Sequence, residues 1–380
     1  MLNWAWRQWL LQPGRLLLTM VVFAGVLALA MLFDGIRIGI VSDIREFPAS
    51  LSSDLVALKK GNSYFAMTPS SLPATALAQA RAVTGVAQAD PIGLVPFILS
   101  NNGKRTPAML VAYGKAGGPP RLVSGRTPGS GPEIVLDANL ARLYNFSLGD
   151  KVDILGNELT IVGISTGTTS PFTPYAFISY DQFVQAALRM LLSGQMANQA
   201  SDMSLISALL IKLDDGADIN AVRQRLETAM PEVGLFTPAQ LGNADASFGE
   251  RLMGPILVLL SVMTWLIALL TMVVLRHAEV QNNLRQFGIQ KALGARPAGL
   301  AVALAFGGVL IALSAFPLAL VAARGLAYVM ADWNPLYGAR VWDPYVLVRA
   351  LIVALVAAIA GGILPWRRLV KLDPVMVFKR

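Results

Sequence analysis

The chain of 380 residues has no cysteine and a single histidine, His277. Without thiols it forms neither a disulfide nor a thiolate metal site. One histidine at the edge of an apolar stretch leaves the rest of the chain without a Ser-His-Asp triad or a histidine-ligated metal. No G-x-x-x-x-G-K-[ST] segment occurs, so the loop that holds nucleotide phosphates in many ATPases is absent. We therefore expect no catalytic site and no cofactor.

Charge is also scarce, at 14% of the residues against about 25% in typical soluble proteins. Four stretches carry no charge, and each approaches or exceeds the roughly 20 residues that cross a bilayer as a helix. They predict four transmembrane helices, at residues 16–33, 252–275, 297–323 and 350–366. The first is longer than the roughly 7–15 apolar residues of a cleaved signal peptide, so we favour a retained span.

The net charge of +8 is unevenly distributed. Residues 34–251 hold 17 Lys and Arg against 19 Asp and Glu, whereas the rest of the chain holds 14 against 4. The positive-inside rule then places 1–15, 276–296 and the tail 367–380 in the cytoplasm, with 34–251 and the short loop 324–349 outside. Because the basic excess flanks spans rather than covering a folded face, we expect no nucleic-acid partner.

The long outer segment has the pattern of a mixed α/β domain, which we expect to form two small lobes. A hairpin turn is predicted at Gly156-Asn157, and Asp218 is a candidate helix N-cap. The predicted strands are 94–99, 109–113, 151–155, 158–164, 175–178 and 208–213, and the predicted helices are 74–83, 137–144, 181–192 and 219–230.

The predicted spans contain no interior Asp, Glu, Lys or His. Arg324 and Arg349 lie at span ends, where long side chains can reach the interface. Ion-coupled transporters keep ionisable groups inside the membrane, so this absence disfavours a secondary transporter.

One segment, Gly163-Ile164-Ser165-Thr166-Gly167, matches the G-x-S-x-G pattern of a nucleophile elbow. An elbow requires a helix next, whereas Thr168 to Pro171 read as a loop. We interpret the segment as an ordinary turn after a strand, and a membrane-anchored enzyme as the weakest hypothesis.

The most informative segment is the predicted cytoplasmic loop 276–296. Val280, Leu284 and Phe287 share one face of a helix, and Gly294 is placed to end it. The pattern predicts a short amphipathic helix at the inner membrane surface. From the pattern alone, it is equally an interfacial anchor or a partner-binding helix.

The sequence of this loop resembles the macrolide-exporter (MacB) and FtsX class of ABC permeases, the mechanotransmission or type VII class. The family pattern is Arg-Glu-(Ile/Phe)-Gly-(Ile/Leu)-x-(Arg/Lys)-Ala-(Leu/Ile)-Gly-Ala, and Gln286 stands where the Glu is usual. A branch resembling the heterocyst glycolipid exporter (DevC-like) also varies that Glu. By resemblance, the candidate ATPase-coupling residues are Arg285, Gln286, Gly288, Gln290, Lys291 and Gly294.

Two further segments support the resemblance. The chain end is similar to the family's cytoplasmic tail motif, through Pro365, Arg367, Arg368, Lys371 and Pro374. Residues 133–142, 148–152 and 159–164 are similar to the core of the family's periplasmic domain. The order of one span, a large outer domain and three spans is also shared.

The resemblance implies a permease in a bacterial inner membrane, with both termini cytoplasmic. Two permease chains pair, most simply as a homodimer in the lipid bilayer, and two ATP-binding subunits drive them. The complex would export or extract an amphiphile, in some relatives with a membrane-fusion protein and an outer-membrane duct. The alternative is an FtsX-like subunit that transmits a signal to an extracytoplasmic hydrolase and moves no substrate.

Overall fold

The computed structural model describes residues 13–101, 103–192, 205–283, 285, 287–289 and 297–371. Among these, the chain divides into a helix bundle (13–39, 254–333 and 338–371) and an α/β domain (40–253 and 334–337). The elements in chain order are α1 (Pro13–Ala49), β1 (Leu55–Lys59), α2 (Thr75–Arg81), β2 (Val86–Asn101), β3 (Lys104–Tyr113), β4 (Arg121–Gly125), β5 (Glu133–Asp137), α3 (Ala138–Tyr144), β6 (Lys151–Ile154), β7 (Asn157–Thr166), β8 (Tyr175–Ser179), α4 (Tyr180–Leu192), β9 (Ala208–Leu213), α5 (Ile219–Ala229), β10 (Val233–Phe236), α6 (Pro238–Asn282), α7 (Pro297–Trp333) and α8 (Pro344–Lys371).

Four helices, α1, α6, α7 and α8, are long and apolar enough to cross a membrane. Each runs beyond the apolar stretch that predicted it, because polar residues continue the helix on one or both sides. The fold class is therefore confirmed: four candidate transmembrane helices, with a mixed α/β domain between the first two. The limits of the spans within these helices remain predictions.

The bundle core is built mainly from alanines and larger apolar side chains. Alanines on α7 and α8 allow these two helices to approach closely, as in other membrane bundles. Larger side chains from α1 and α6 fill the remaining space. The fully buried members include Phe23, Leu27, Met31, Met272, Ile311, Ala315, Ala319, Ala350, Ala357 and Ala358.

The α/β domain holds a mixed sheet of ten strands in the order β10-β1-β9-β2-β3-β8-β5-β7-β4, with β6 paired to β7. Most pairs are antiparallel, but β3 pairs with β8 and β5 with β7 in parallel. Because alternate side chains point to opposite faces of a strand, both faces of the sheet carry apolar side chains. Adjacent Ala57 and Leu58 belong to cores on opposite faces.

One face of the sheet is covered by α2 to α5 and the other by the ends of two long helices. Val222 and Leu226 of α5 pack in one core with β1 and β9. Phe47 of α1 and Leu241 of α6 pack in the core on the other side, where Phe47 meets Tyr175 at 4.5 Å between ring centroids. The last turns of α1 and the first of α6 thus belong to the domain.

Two details differ from the sequence predictions. The sheet is continuous across the domain, so the expected two lobes are two cores on one sheet. The β6–β7 turn is centred on Leu155-Gly156, one residue earlier than predicted, because Ile154 pairs with Asn157. Both central residues have positive φ, 54° and 78°, as a type I′ turn requires. The N-cap prediction at Asp218 is confirmed, since its carboxylate accepts from the Asn220 amide.

Candidate functional site

The predicted coupling loop begins with the C-terminal turns of α6. Among its six candidate residues, the structure describes Arg285 and Gly288, both helical. The other four, Gln286, Gln290, Lys291 and Gly294, lie outside the described residues. The amide of Phe287 donates to the Asn283 carbonyl at 3.2 Å, so the chain resumes helical geometry almost immediately after α6.

The apolar face of this loop is covered by protein. Val280 and Phe287 are buried, at 2% and 5% exposure, in a cluster with Leu300 and Leu304 of α7. Trp366 of α8 packs against the same cluster. The prediction that this face rests on the membrane surface is therefore wrong for these two residues. A segment held against two neighbouring helices can transmit displacement to them more directly than one resting on lipid.

Arg276 fixes the start of the loop to the bundle. Its side chain is only 2% exposed and forms an ion pair with Glu279, one turn later on α6. Its Nη2 atom also donates to the backbone carbonyl of Leu304 on α7. A buried guanidinium needs such partners because desolvating an unpaired charge is costly. Arg276 thus ties α6 to α7 beside the Val280–Phe287 cluster.

Glycines on α7 and α8 make room for this arrangement. A Cβ atom on Gly307 would lie 3.3 Å from Arg276 Nη2, and one on Gly361 would lie 3.3 Å from Arg276 Cγ. On Gly308 it would lie 2.6 Å from the Ala358 carbonyl oxygen. These glycines therefore serve packing within the chain.

Two of the residues that the structure describes between α6 and α7 are exposed. Ile289 is 40% exposed and Arg285, one helical turn before it, is exposed, whereas Gly288 is buried within the chain. Residues four apart share a helix face, so Arg285 and Ile289 present one surface with a cation and an apolar side chain. The surface faces away from the cluster that buries Val280 and Phe287.

The tail motif is described in part. The backbone of Pro365, Arg367, Arg368 and Lys371 continues α8, which ends at Lys371. Their side chains and Pro374 lie outside the described residues.

A second charged cluster joins three helices of the bundle. Asp34 of α1 is 2% exposed and accepts hydrogen bonds from the Ser261 hydroxyl, the Trp265 indole at 3.2 Å and the Arg349 guanidinium at 2.9 Å. The Arg349 guanidinium also lies 5.7 Å from the Trp265 ring centroid, within cation–π range. Arg349, expected at a span end where its side chain can reach the interface, is 29% exposed and pairs with the buried Asp34. Asp34 directly follows the first apolar stretch, where composition alone does not indicate a partner inside the bundle.

The G-x-S-x-G segment is structural, as expected. Ser165 lies on β7, is fully buried, and hydrogen-bonds to Thr168 and to the Leu136 carbonyl. Thr168 and Thr169 both donate to Asp137, which also caps α3 through the amides of Asn139 and Leu140. A buried hydroxyl without a helix behind it has no access to a substrate.

Among the described residues, no group of His, Asp and Glu side chains is arranged to hold a metal ion.

Comparison with known proteins agrees with this architecture. Residues 16–229 match the family model of the MacB-like periplasmic core domain, and residues 258–374 match that of the FtsX-like permease C-terminal region. An uncharacterized ABC transporter permease of Mycobacterium tuberculosis (strain ATCC 25618 / H37Rv) is 25% identical over 377 residues, covering 98% of this chain and 97% of the relative. Another such permease, from Mycobacterium bovis (strain ATCC BAA-935 / AF2122/97), is 25% identical over 366 residues, covering 95% of this chain and 93% of that relative.

Two solved structures are similar to the α/β domain. The periplasmic region of MacB from Actinobacillus actinomycetemcomitans aligns with a TM-score of 0.36 and 14% identity, covering 53% of this chain and 96% of that structure. The extracellular domain of the noncanonic ABC-type transporter YknZ from Gram-positive bacteria aligns with a TM-score of 0.35 and 10% identity. The alignment covers 49% of this chain and 100% of that structure. Since both family models match in order along a chain with four apolar helices, this multi-pass membrane protein belongs to the MacB/FtsX family of ABC transporter permeases.

Proposed function

We propose that the chain couples ATP hydrolysis by a separate ATP-binding subunit to the export or extraction of an amphiphile. This step would take place at the outer face of the membrane that the chain spans. The chain would act as a pair of permease chains with two ATP-binding subunits, and it would not hydrolyse ATP itself. A membrane-fusion protein and an outer-membrane duct are further candidate partners. The observation that carries the proposal is the loop after α6, where one face is bound to the bundle and the other is exposed.

Each face of the loop has a role in this proposal. Arg285 and Ile289 form the surface that receives the ATP-binding subunit, the cation by charge and the isoleucine by burial of apolar area. Val280 and Phe287 pass the displacement to α7, and Arg276 holds α6 and α7 together during it. Gln286, Gln290, Lys291, Gly294 and the basic tail complete the candidate contact in the family pattern.

Orientation follows from charge. The 14 Lys and Arg against 4 Asp and Glu outside residues 34–251 support cytoplasmic termini and an extracytoplasmic α/β domain. The helices α1 and α6 run without interruption from the bundle segments into residues of the α/β domain. Rigid helices are suitable carriers of movement from an inner loop to an outer domain.

Ile289→Asp and Arg285→Glu test the coupling surface. Both side chains are exposed, so neither change should impair folding or membrane insertion. Each should reduce the amount of ATP-binding subunit that co-purifies with the permease, and the double variant should reduce it about tenfold or more, the effect of losing an interface anchor. Ile98→Asp and Arg105→Glu, at exposed positions of the α/β domain, are matched controls.

Unchanged recruitment by the double Arg285/Ile289 variant, at equal levels of inserted protein, would remove this surface from the proposal. The same loss in the Ile98 and Arg105 controls would show a general effect of added negative charge, and would equally contradict a specific contact.

A further inference from the structure

We propose that the α/β domain binds the apolar chain of an anionic amphiphile in a cavity between α4 and the sheet. The inference rests on the proposed export function and deepens it by naming the class of substrate. The cavity lies entirely within the α/β domain, among residues that the sequence motifs did not single out.

The cavity has the size and lining of a ligand site. Its volume is about 820 Å³, within the range of roughly 300–1,000 Å³ that small-molecule sites occupy. Its walls come from β2, β3, β8, the β6–β7 hairpin and α4. The apolar lining residues are Leu94, Val95, Pro96, Leu110, Ile154, Leu155, Leu159, Ile178, Phe183, Ala186 and Ala187.

The floor of the cavity is formed by tightly packed groups. A Cβ atom on Gly93 would lie 2.7 Å from the Phe183 ring, so this glycine lets the ring lie directly on β2. The Ser207 hydroxyl, also in the lining, accepts from the Leu94 amide at 2.9 Å and is thereby satisfied. An apolar chain can therefore enter without burying an unpaired hydroxyl at this point.

The charge at the lining favours an anion. Arg189 of α4 is exposed, and within the described part of the chain it has no ion-pair partner. The acidic lining residue Glu158 is already paired with Lys151 at 2.5 Å. The remaining charge is thus the Arg189 guanidinium, which binds carboxylate, phosphate or sulfate groups with parallel hydrogen bonds. A headgroup carrying one of these anions would lie there while its chain occupies the apolar interior.

Leu155 provides an independent observation at the edge of the cavity. It is 50% exposed and adopts a φ of 54°, a left-handed conformation that costs most residues about 1–2 kcal/mol. Asn or Gly would occupy this turn position with less strain. A half-exposed leucine buries too little apolar surface to offset the cost of this backbone conformation. Backbone strain of this kind often marks a functional site. An apolar side chain at this edge is explained if it contacts a bound apolar chain.

Photolabelling of the full-length permease tests the site. The protein is placed in neutral-lipid nanodiscs with a palmitate analogue carrying a mid-chain diazirine, irradiated, digested and mapped by mass spectrometry. We expect adducts on residues 154–159 and 182–189, in addition to any on the lipid-facing spans. Excess unlabelled palmitate should compete for the domain adducts more strongly than hexadecanol, which lacks the anionic group.

Two variants separate the apolar and ionic contributions. Leu155→Asn should reduce the domain adducts about fivefold by removing apolar contact, while relieving backbone strain so that the fold is retained. Leu148→Asn, at an exposed leucine outside the cavity, is its control. Arg189→Gln should reduce labelling by palmitate about two- to fivefold, the size of an exposed ion pair, and leave labelling by a diazirine alcohol unchanged. Arg105→Gln is the matched control.

Adducts confined to the spans would overturn the proposal, as would domain adducts that Leu155→Asn and Arg189→Gln leave unchanged. Equal competition by hexadecanol would overturn the anionic part. Labelling requires neither ATP nor the ATP-binding subunit. A negative result with normal subunit recruitment therefore rejects the cavity alone, and intact labelling with failed recruitment rejects the coupling surface alone.

Discussion

Arg349 donates a hydrogen bond to Asp34 at 2.9 Å, although the two residues are 315 positions apart in the chain. The pair joins α8 to α1, and Ser261 and Trp265 add α6 to the same cluster. Asp34 is buried, whereas the Arg349 side chain is 29% exposed. The cluster thus joins three bundle helices, with Asp34 and Arg349 just outside their uncharged stretches and Ser261 and Trp265 inside that of α6.

Asp34→Asn and Arg349→Gln should each destabilise the bundle. Breaking a buried ion pair costs about 3–5 kcal/mol, and the partial exposure of Arg349 places the expected loss toward the lower end. The double variant should cost less than the sum of the two, because no unpaired charge remains. Thermal unfolding of the purified protein in detergent measures all three. Lys151→Gln, which breaks a pair exposed by 65% on both sides, should change stability by less than about 1 kcal/mol.

Arg276→Met should loosen the link between α6 and α7. It leaves Glu279, whose side chain is 30% exposed, without its ion-pair partner and removes the side-chain hydrogen bond to the Leu304 carbonyl, at a total cost of about 1–3 kcal/mol. We expect normal recruitment of the ATP-binding subunit but reduced ATP-dependent function, because the exposed surface at Arg285 and Ile289 is unchanged. His277→Gln, the next residue, is the control. Full function with Arg276→Met would show that this link does not carry the movement.

Asp137→Ala should destabilise the α/β domain by about 2–4 kcal/mol, since it removes a helix cap and the carboxylate that accepts from the hydroxyls of Thr168 and Thr169. Burial raises the pKa of Asp137, against the opposing effect of the hydrogen bonds donated by Thr168, Thr169 and the α3 amides. Relative to the unfolded chain, the fold therefore favours the neutral form of this carboxyl group. Its contribution to the free energy of unfolding should decline as pH rises from 3.8 through the folded-state pKa. Asp137→Asn should lack this decline in unfolding scans at several pH values; an identical pH profile would contradict the sign.

The proposed orientation can be tested with single cysteines, because the chain has none of its own. Ser130 and Gln281 are both exposed, one in the α/β domain and one in the loop end of α6. In intact cells, with any outer membrane permeabilised, an impermeant thiol reagent should label Ser130→Cys and spare Gln281→Cys. The reverse pattern would refute the orientation.

The sequence was sufficient for the features that depend on local composition. Uncharged stretches predicted the four helices, and local composition with turn residues predicted six of the ten strands found among the described residues. The strands that were not predicted are β1, β4, β5 and β10, each of four or five residues. In β1 four of five residues are buried, so burial on both faces removes the alternation, whereas β10 alternates over only four residues. The turn at Leu155 was displaced by one residue because a leucine with positive φ contradicts its local preference.

Long-range contacts were the part that the sequence did not predict. The Asp34–Arg349 pair joins residues 315 positions apart, and the Arg276 contact with Leu304 joins two successive helices across the loop between them. The loop pattern correctly grouped Val280 with Phe287, but a helical period does not distinguish lipid from protein as the covering surface. Leu300 and Leu304 provide that surface only once α7 folds back beside α6.

ATP turnover by purified components tests the central claim most directly. The permease alone in nanodiscs should hydrolyse no ATP, because it lacks a phosphate-binding loop. With its ATP-binding subunit the complex should turn over ATP, and the Arg285→Glu/Ile289→Asp double variant should lower the turnover that depends on the permease about tenfold, with the Ile98 and Arg105 controls at the wild-type rate. Sustained ATP hydrolysis by the permease alone, or full permease-dependent turnover by the double variant, would contradict it.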